Sequence, residues 1–95
     1  MITSKQRAAL RAMANTVQPI FQIGKGGIGE ALIAQLDAAL KARELIKITV
    51  LETADMTARE ASDALIGPLR AEPVQSIGRK VVLYRRNQDD PRIEI

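Results

Sequence analysis

The apolar residues of the first half of the chain repeat at helical spacing in two segments. A Thr-x-x-Gln capping box at Thr3–Gln6 predicts a helix that begins near Ser4. Its inward face is expected to carry Ala9, Leu10, Met13 and Val17, and Pro19 ends the pattern. A second stripe at four-residue steps predicts a helix that runs to about Arg43 and buries Ile28, Leu32, Leu36 and Leu40.

A third helix is predicted in the second half. Thr57 and Glu60 have the spacing of another capping box, and the apolar face that follows is expected to consist of Ala61, Ala64 and Leu65. Gly67-Pro68 should stop this helix or bend it sharply, because proline lacks the N–H group that a helix interior needs.

Four short segments have the composition and period of β-strands: 20–23, 46–50, 74–77 and 80–85. Gly78-Arg79 separates the last two, and a Gly-x pair in this position predicts a two-residue hairpin of type II′. The predicted order of elements is therefore α-β-α-β-α-β-β.

This order predicts an α/β fold, in which three helices pack against a four-stranded mixed sheet. At 95 residues the chain has room for one small core, so residues 1–95 are expected to form a compact single domain. The tail 87–95 mixes charges with a proline and is expected to be loosely ordered.

The composition excludes several classes of function. The chain has no cysteine and no histidine, which removes thiolate nucleophiles, Cys/His metal sites and the commonest general base. We therefore expect no catalytic residues, no metal and no cofactor. The longest uncharged stretch, 12–24, contains an asparagine, a glutamine and a proline, so no membrane span is expected. These features favour a cytoplasmic protein.

The charges are distributed unevenly along the chain. Residues 1–29 and 73–88 each carry four basic side chains and no acidic one, whereas 30–72 has eight acids against five bases. If the fold brings the two acid-free segments together, they form one surface suited to a polyanion. Ordinary solvated surface explains the same pattern about as well.

The glycine-rich run 24–29 follows a strand and precedes a helix, and it fits G-x-G-x-x-G. Glu52 lies about where the ribose-binding acid of a dinucleotide site is found. A small nucleotide-binding regulator is therefore one interpretation. Four short strands are few for that fold, however, and the Walker A pattern is absent.

A second interpretation uses only Gly24-Lys25-Gly26-Gly27, a Gly-x-x-Gly loop of the kind that clamps nucleic-acid backbone in KH modules. Glycines allow close approach of the backbone, and Lys25 and the following helix N-terminus supply positive potential. A tight turn that merely requires glycine is the simplest alternative. Phe21 and Tyr84 are the only aromatic residues and are expected in the core, so base stacking is disfavoured and structured RNA is the favoured ligand.

Three ordered motifs together resemble the bacterial YhbY family of stand-alone CRM (chloroplast RNA splicing and ribosome maturation) domains. They are 19–27 (PIFQIGKGG), 42–47 (ARELIK), and 74–78 (VQSIG) with 82–85 (VLYR). The resemblance implies a fold similar to the C-terminal domain of bacterial translation initiation factor three. It also implies RNA binding and association with precursors of the large (50S) ribosomal subunit.

Carried over to this sequence, the resemblance places the RNA-binding loop at Gly24, Lys25, Gly26 and Gly27. On charge alone, the surrounding basic surface is expected to comprise Lys5, Arg7, Arg11, Lys47, Arg79, Lys80 and Arg85. Many relatives have a side chain that can cap the second helix at the position of Gly29, so this sequence departs from the family pattern there. The expected partner is ribosomal RNA, with no membrane and with the protein as a monomer; a basic protein-interaction module remains a further alternative.

Overall fold

The computed structural model describes residues 2–95, which fold into three helices and one four-stranded sheet. The helices are α1 (Ser4–Ala14), α2 (Glu30–Arg43) and α3 (Ala58–Leu69), and the strands are β1 (Pro19–Ile23), β2 (Leu45–Val50), β3 (Glu72–Ile77) and β4 (Lys80–Tyr84). A 3₁₀ turn at Glu52–Ala54 follows β2. The predicted order of elements is confirmed, and both predicted capping boxes form.

The sheet is mixed, in the order β1-β2-β4-β3. β1 is parallel to β2, and the other two pairs are antiparallel. Gly78 and Arg79 connect β3 to β4, and Gly78 has φ of 56°. The two-residue hairpin is confirmed, and the positive φ at its first position is the one that a type II′ turn requires.

The helices cover the two faces of the sheet unequally. α2 and α3 pack on one face against Ile23, Ile46, Ile48, Val81 and Leu83. α1 packs on the other face through Leu10 and Ala14, against Leu45, Val74, Val82 and Tyr84. Because side chains alternate between the faces of a strand, the two central strands, β2 and β4, contribute buried side chains to both cores. One short helix on the second face leaves part of that face uncovered.

Two details of the predicted helices are wrong. Met13 and Ala64 are solvent-exposed, whereas Ala14 and Ser62 are buried. α3 also continues through Gly67-Pro68 to Leu69. Leu65 and Leu69 anchor this last turn in the core, while Ala64 lies on the exposed side, where water can hydrate the carbonyl group that proline leaves without a helical donor.

The tail after β4 has no regular structure, but Glu44 holds it against the domain. The carboxylate of Glu44 accepts backbone hydrogen bonds from Asn87 (2.8 Å), Arg92 (2.6 Å) and Ile93 (2.8 Å). Ile93 packs beside the α1 core. The predicted loose tail is therefore fixed at these three residues by a side chain more than 40 positions away in the sequence.

Candidate nucleic-acid interface

The loop between β1 and α2 is a turn closed by its own backbone. The Gly27 N–H group donates to the Gly24 carbonyl oxygen at 2.9 Å, and Gly27 has φ of 67°, which a side chain would strain. A Cβ atom placed on Gly26 would meet no atom within 4 Å, so this glycine is not needed for packing. Lys25 is exposed beside it. Backbone and charge are thus open to a ligand here.

The N-terminus of α2 lies directly behind this turn. Gly29 is its N-cap residue and provides no side-chain hydrogen bond, so the N–H groups of the first helical turn are not capped by a side chain. Free N–H groups and the helix dipole favour an anion at this position. Glu30 in the first turn partly offsets that potential.

Two backbone hydrogen bonds bring further segments to the same edge of the sheet. The Leu51 N–H group donates to the Ile23 carbonyl oxygen at 2.8 Å, and the Val50 N–H group donates to the Arg79 carbonyl oxygen at 2.7 Å. The ends of β1 and β2 therefore adjoin the β3–β4 hairpin turn. Lys25 and Arg79, which are 54 positions apart, both lie along this edge.

The part of the sheet that α1 leaves uncovered adjoins this edge. Lys47 lies two residues from Leu45, and Lys80 two residues from Val82, so both lysines share the face that α1 packs on. The register pairs Lys47 with Val82 and Lys80 with Thr49, which makes the two lysines diagonal neighbours. We call this uncovered part, with Gln22, Lys47, Thr49, Ile77 and Lys80, the open sheet face.

Helix α1 has a basic flank. Arg7 and Arg11 lie one turn apart on one flank, whereas Ile2 and Gln6 face the tail on the other, where Gln6 Nε2 approaches the Ile95 carbonyl oxygen at 3.5 Å. Arg7 Nε also donates to the Pro73 carbonyl oxygen at 3.1 Å.

Two of the predicted basic residues are not brought to this surface. Arg85 binds the Asp37 carboxylate at 2.7 Å and the Leu69 carbonyl oxygen at 2.8 Å, which ties β4 to α2 and α3 at the opposite end of the sheet. Lys5 lies on the solvent side of α1, away from Leu10 and Ala14. Arg85 therefore has structural contacts, and Lys5 lies apart from the loop.

The surface near the loop also includes three acids, of which the sequence placed only Glu52 there. Glu52, Asp55 and Glu60 line a depression beside Arg79, next to the N-terminus of α3. The backbone N–H and the hydroxyl of Thr57 hold the pKa of Glu60 below its usual value. The basic residues near the loop thus continue onto the open sheet face through Lys80 and Lys47, whereas acids lie on the side of α3.

The charge pattern of the sequence identified Lys47 and Lys80 but not Gln22, Thr49 and Ile77, which share their face. Period-two alternation within β2 could have identified Thr49, but Gln22 and Ile77 depend on the register between strands. Within residues 2–95, no three Asp or Glu side chains are placed to hold a metal ion. Over the same range no helix has the length and apolarity required to cross a membrane.

Residues 2–85 match the CRS1 / YhbY (CRM) domain. The chain belongs to this family. The CRM domain resembles YqeI of Bacillus subtilis, named "Probable RNA-binding protein", with 41% identity across 100% of this chain and 99% of the relative. An "RNA-binding protein" of Haemophilus influenzae is 31% identical over 88 residues, 93% of this chain and 89% of its own length.

The fold has a solved counterpart. The solution structure of SAV1595 from Staphylococcus aureus matches this CRM domain with a TM-score of 0.80 and 41% identity, covering 100% of this chain and 99% of that one. The family resemblance and the fold class expected from the sequence are both confirmed.

Proposed function

We propose that this CRM domain binds RNA, with the Gly24–Gly27 loop and the open sheet face contacting the sugar-phosphate backbone. The observation that supports the proposal is that Lys47 and Lys80 are diagonal neighbours at the edge of the sheet where the Lys25 loop, the Arg79 turn and the uncapped N-terminus of α2 lie. Arg11 of α1 is proposed to extend this basic surface. Relatives with 41% and 31% identity are named as RNA-binding proteins, which supports RNA as the ligand. The protein is proposed to bind as a monomer and to have no enzymatic activity.

The RNA is proposed to be ribosomal, within precursors of the large subunit, as the resemblance to the YhbY family implies. Crosslinking in cells followed by sequencing of the bound RNA tests this assignment. Crosslinks in large-subunit ribosomal RNA, reduced in a Lys25→Ala variant, would support it. Crosslinks confined to messenger or transfer RNA would overturn the ribosomal assignment and leave RNA binding intact.

Replacing Lys25 or Gly26 is expected to weaken RNA binding without unfolding the protein. Lys25→Ala removes one phosphate contact and should reduce affinity about five-fold for every RNA sequence. Gly26→Val should reduce it further, because a β-branched side chain blocks the approach of the RNA backbone. The space around Gly26 is empty in the free protein, so its melting temperature should change little. Filter binding and thermal unfolding measure the two effects.

Lys41→Ala and Gly67→Ala are controls. Lys41 is exposed near the far end of α2, and Gly67 is exposed in the last turns of α3, where a Cβ atom meets no side chain within 4 Å. Both variants should bind RNA as the wild type does. If Gly26→Val unfolds the protein while Lys25→Ala binds RNA normally, the loop is a structural turn and the proposed contact is wrong.

Nucleotide binding is the second candidate, because Glu52 follows β2 at the edge where the glycine loop lies. Only β1 and β2 are parallel there, so the sheet lacks the extent of a dinucleotide-binding fold. We expect calorimetry to detect no micromolar binding of NAD, ATP or GTP. Glu52→Gln should leave RNA affinity unchanged or slightly higher. Micromolar binding of a nucleotide that Glu52→Gln abolishes would favour this candidate instead.

A further inference from the structure

One row of side chains crosses the open sheet face from β1 to β3. The register pairs Gln22 with Thr49, Thr49 with Lys80, and Lys80 with Ile77. Adjacent strands are about 4.8 Å apart, so the row spans roughly 14 Å. All four side chains share the face on which α1 packs, and Val82, one pair of residues further along β4, is already buried under α1. The row is thus the first one that α1 leaves uncovered.

Within residues 2–95, the polar groups of this row have no hydrogen-bond or ion-pair partner. Among residues 2–95, neither the Gln22 amide nor the Thr49 hydroxyl forms a side-chain hydrogen bond, and Lys80 forms no ion pair. Gln22 is exposed and Thr49 half-buried. Ile77 is 61% exposed, the highest value among the exposed large apolar side chains. The row therefore presents an amide, a hydroxyl, an ammonium and an apolar group to a ligand.

These groups match a nucleic-acid sugar better than a phosphate or a base. A phosphate would bind to the lysines rather than to the neutral amide and hydroxyl groups. The face also has no aromatic side chain on which a base could stack. A ribose has a hydroxyl that both donates and accepts, together with an uncharged carbon side. An A-form helix displays its 2′-hydroxyls in a wide, shallow minor groove, which a flat sheet face can approach, whereas its major groove is deep and narrow.

We propose that Thr49 and Gln22 hydrogen-bond to ribose 2′-hydroxyls and thereby make this domain prefer RNA over DNA. The proposal rests on the proposed function, since it requires RNA backbone to lie across the open sheet face. Lys47 and Lys80 would hold the flanking phosphates, which both nucleic acids possess. Discrimination would come from the two neutral side chains alone, because DNA leaves them without the hydroxyl they would bind.

The test compares a hairpin RNA with the same hairpin made of DNA, at one salt concentration. Thr49→Val keeps the β-branched shape and removes the hydroxyl, and Gln22→Met keeps the length and removes the amide. Each change should reduce RNA affinity roughly 3- to 10-fold and the double variant about 10- to 50-fold, with DNA affinity unchanged. Thermal unfolding should show that both variants fold.

Lys80→Gln is the control, because it removes a phosphate contact and should weaken RNA and DNA binding by the same factor. An RNA-to-DNA affinity ratio that the double variant leaves unchanged would overturn the sugar contact while RNA binding itself stands. A wild-type protein that binds neither hairpin would overturn both this inference and the proposed function.

Discussion

The affinity of the protein for a structured RNA is expected to fall about 50- to 2,000-fold as salt rises from ~50 to ~200 mM. Each phosphate held by a lysine or arginine releases counterions, which gives a log–log slope of about −0.7 to −0.9 per contact. The proposed surface of Lys25, Arg79, Lys80, Lys47 and Arg11 is expected to make about four to six such contacts. Fluorescence anisotropy with a labelled RNA hairpin over a salt series measures the slope.

Variants that remove lysine charges test which residues contribute to the slope. A Lys47→Gln, Lys80→Gln double variant should reduce the slope by about two contacts, because both lysines lie on the open sheet face. Lys5→Gln should leave the slope unchanged, since Lys5 lies on the solvent side of α1. A wild-type affinity that does not vary with salt would contradict phosphate binding and favour an acidic protein partner.

Glu44→Ala is expected to lower the free energy of unfolding by about 2–4 kcal/mol. Glu44 is 0% exposed, and its carboxylate is the acceptor that holds the tail at Asn87, Arg92 and Ile93. Alanine leaves these N–H groups without that acceptor and leaves space where the side chain packed. Chemical denaturation measures the loss. Asp89→Asn, on the exposed part of the same tail, should unfold as the wild type does.

The pH dependence of stability should show that the negative charge of Glu44 contributes to this stabilisation. Burial acts to raise the pKa of Glu44, but the three backbone N–H donors and the charge of Arg86 outweigh it and hold the pKa below the usual 4.5. A carboxyl group with a lowered folded pKa stabilises the protein above its unfolded pKa, and this stabilisation is lost as pH falls through the folded value. The stability difference between wild type and Glu44→Gln should therefore shrink as pH falls below 4.5. A difference that is constant with pH would contradict this account.

The backbone of Glu44 adds a second test. Its φ is 66°, a value that favours glycine, so Glu44→Gly should be more stable than Glu44→Ala by roughly 1 kcal/mol. The folded fraction of each variant should bind RNA as the wild type does, because Glu44 adjoins Arg85 at the end of the sheet opposite the loop. Reduced affinity in fully folded protein would show that the tail contributes to the RNA surface.

Most patterns that depend on near neighbours in the chain were predicted correctly, the stop at Gly67-Pro68 being an exception. The Thr3 and Thr57 capping boxes join residues three positions apart, and the Gly78-Arg79 turn joins adjacent strands. Such local interactions leave a sequence signature because the residues that cooperate are always at the same spacing. The glycine turn at 24–27 belongs to the same class, since its hydrogen bond closes within four residues.

Features that depend on contacts between residues far apart in the sequence could not be predicted from local spacing. Asp37 and Lys41 have the spacing of a helix ion pair, yet Asp37 binds Arg85, 48 positions away. Glu44 has no local feature that marks it as the anchor of the tail. On charge alone, Arg85 and Lys80 were both predicted to belong to the basic surface, although they lie at opposite ends of β4.

The sequence by itself thus determined the elements, their order, the glycine loop and the presence of two acid-free basic segments. Only the tertiary structure decided which basic residues share a surface, because that depends on the strand register and on how far α1 extends over the sheet. A one-residue change of register would move Lys47 and Lys80 to the buried face. The short α1 leaves Gln22, Thr49 and Ile77 uncovered beside them, and no spacing within any one segment encodes that juxtaposition.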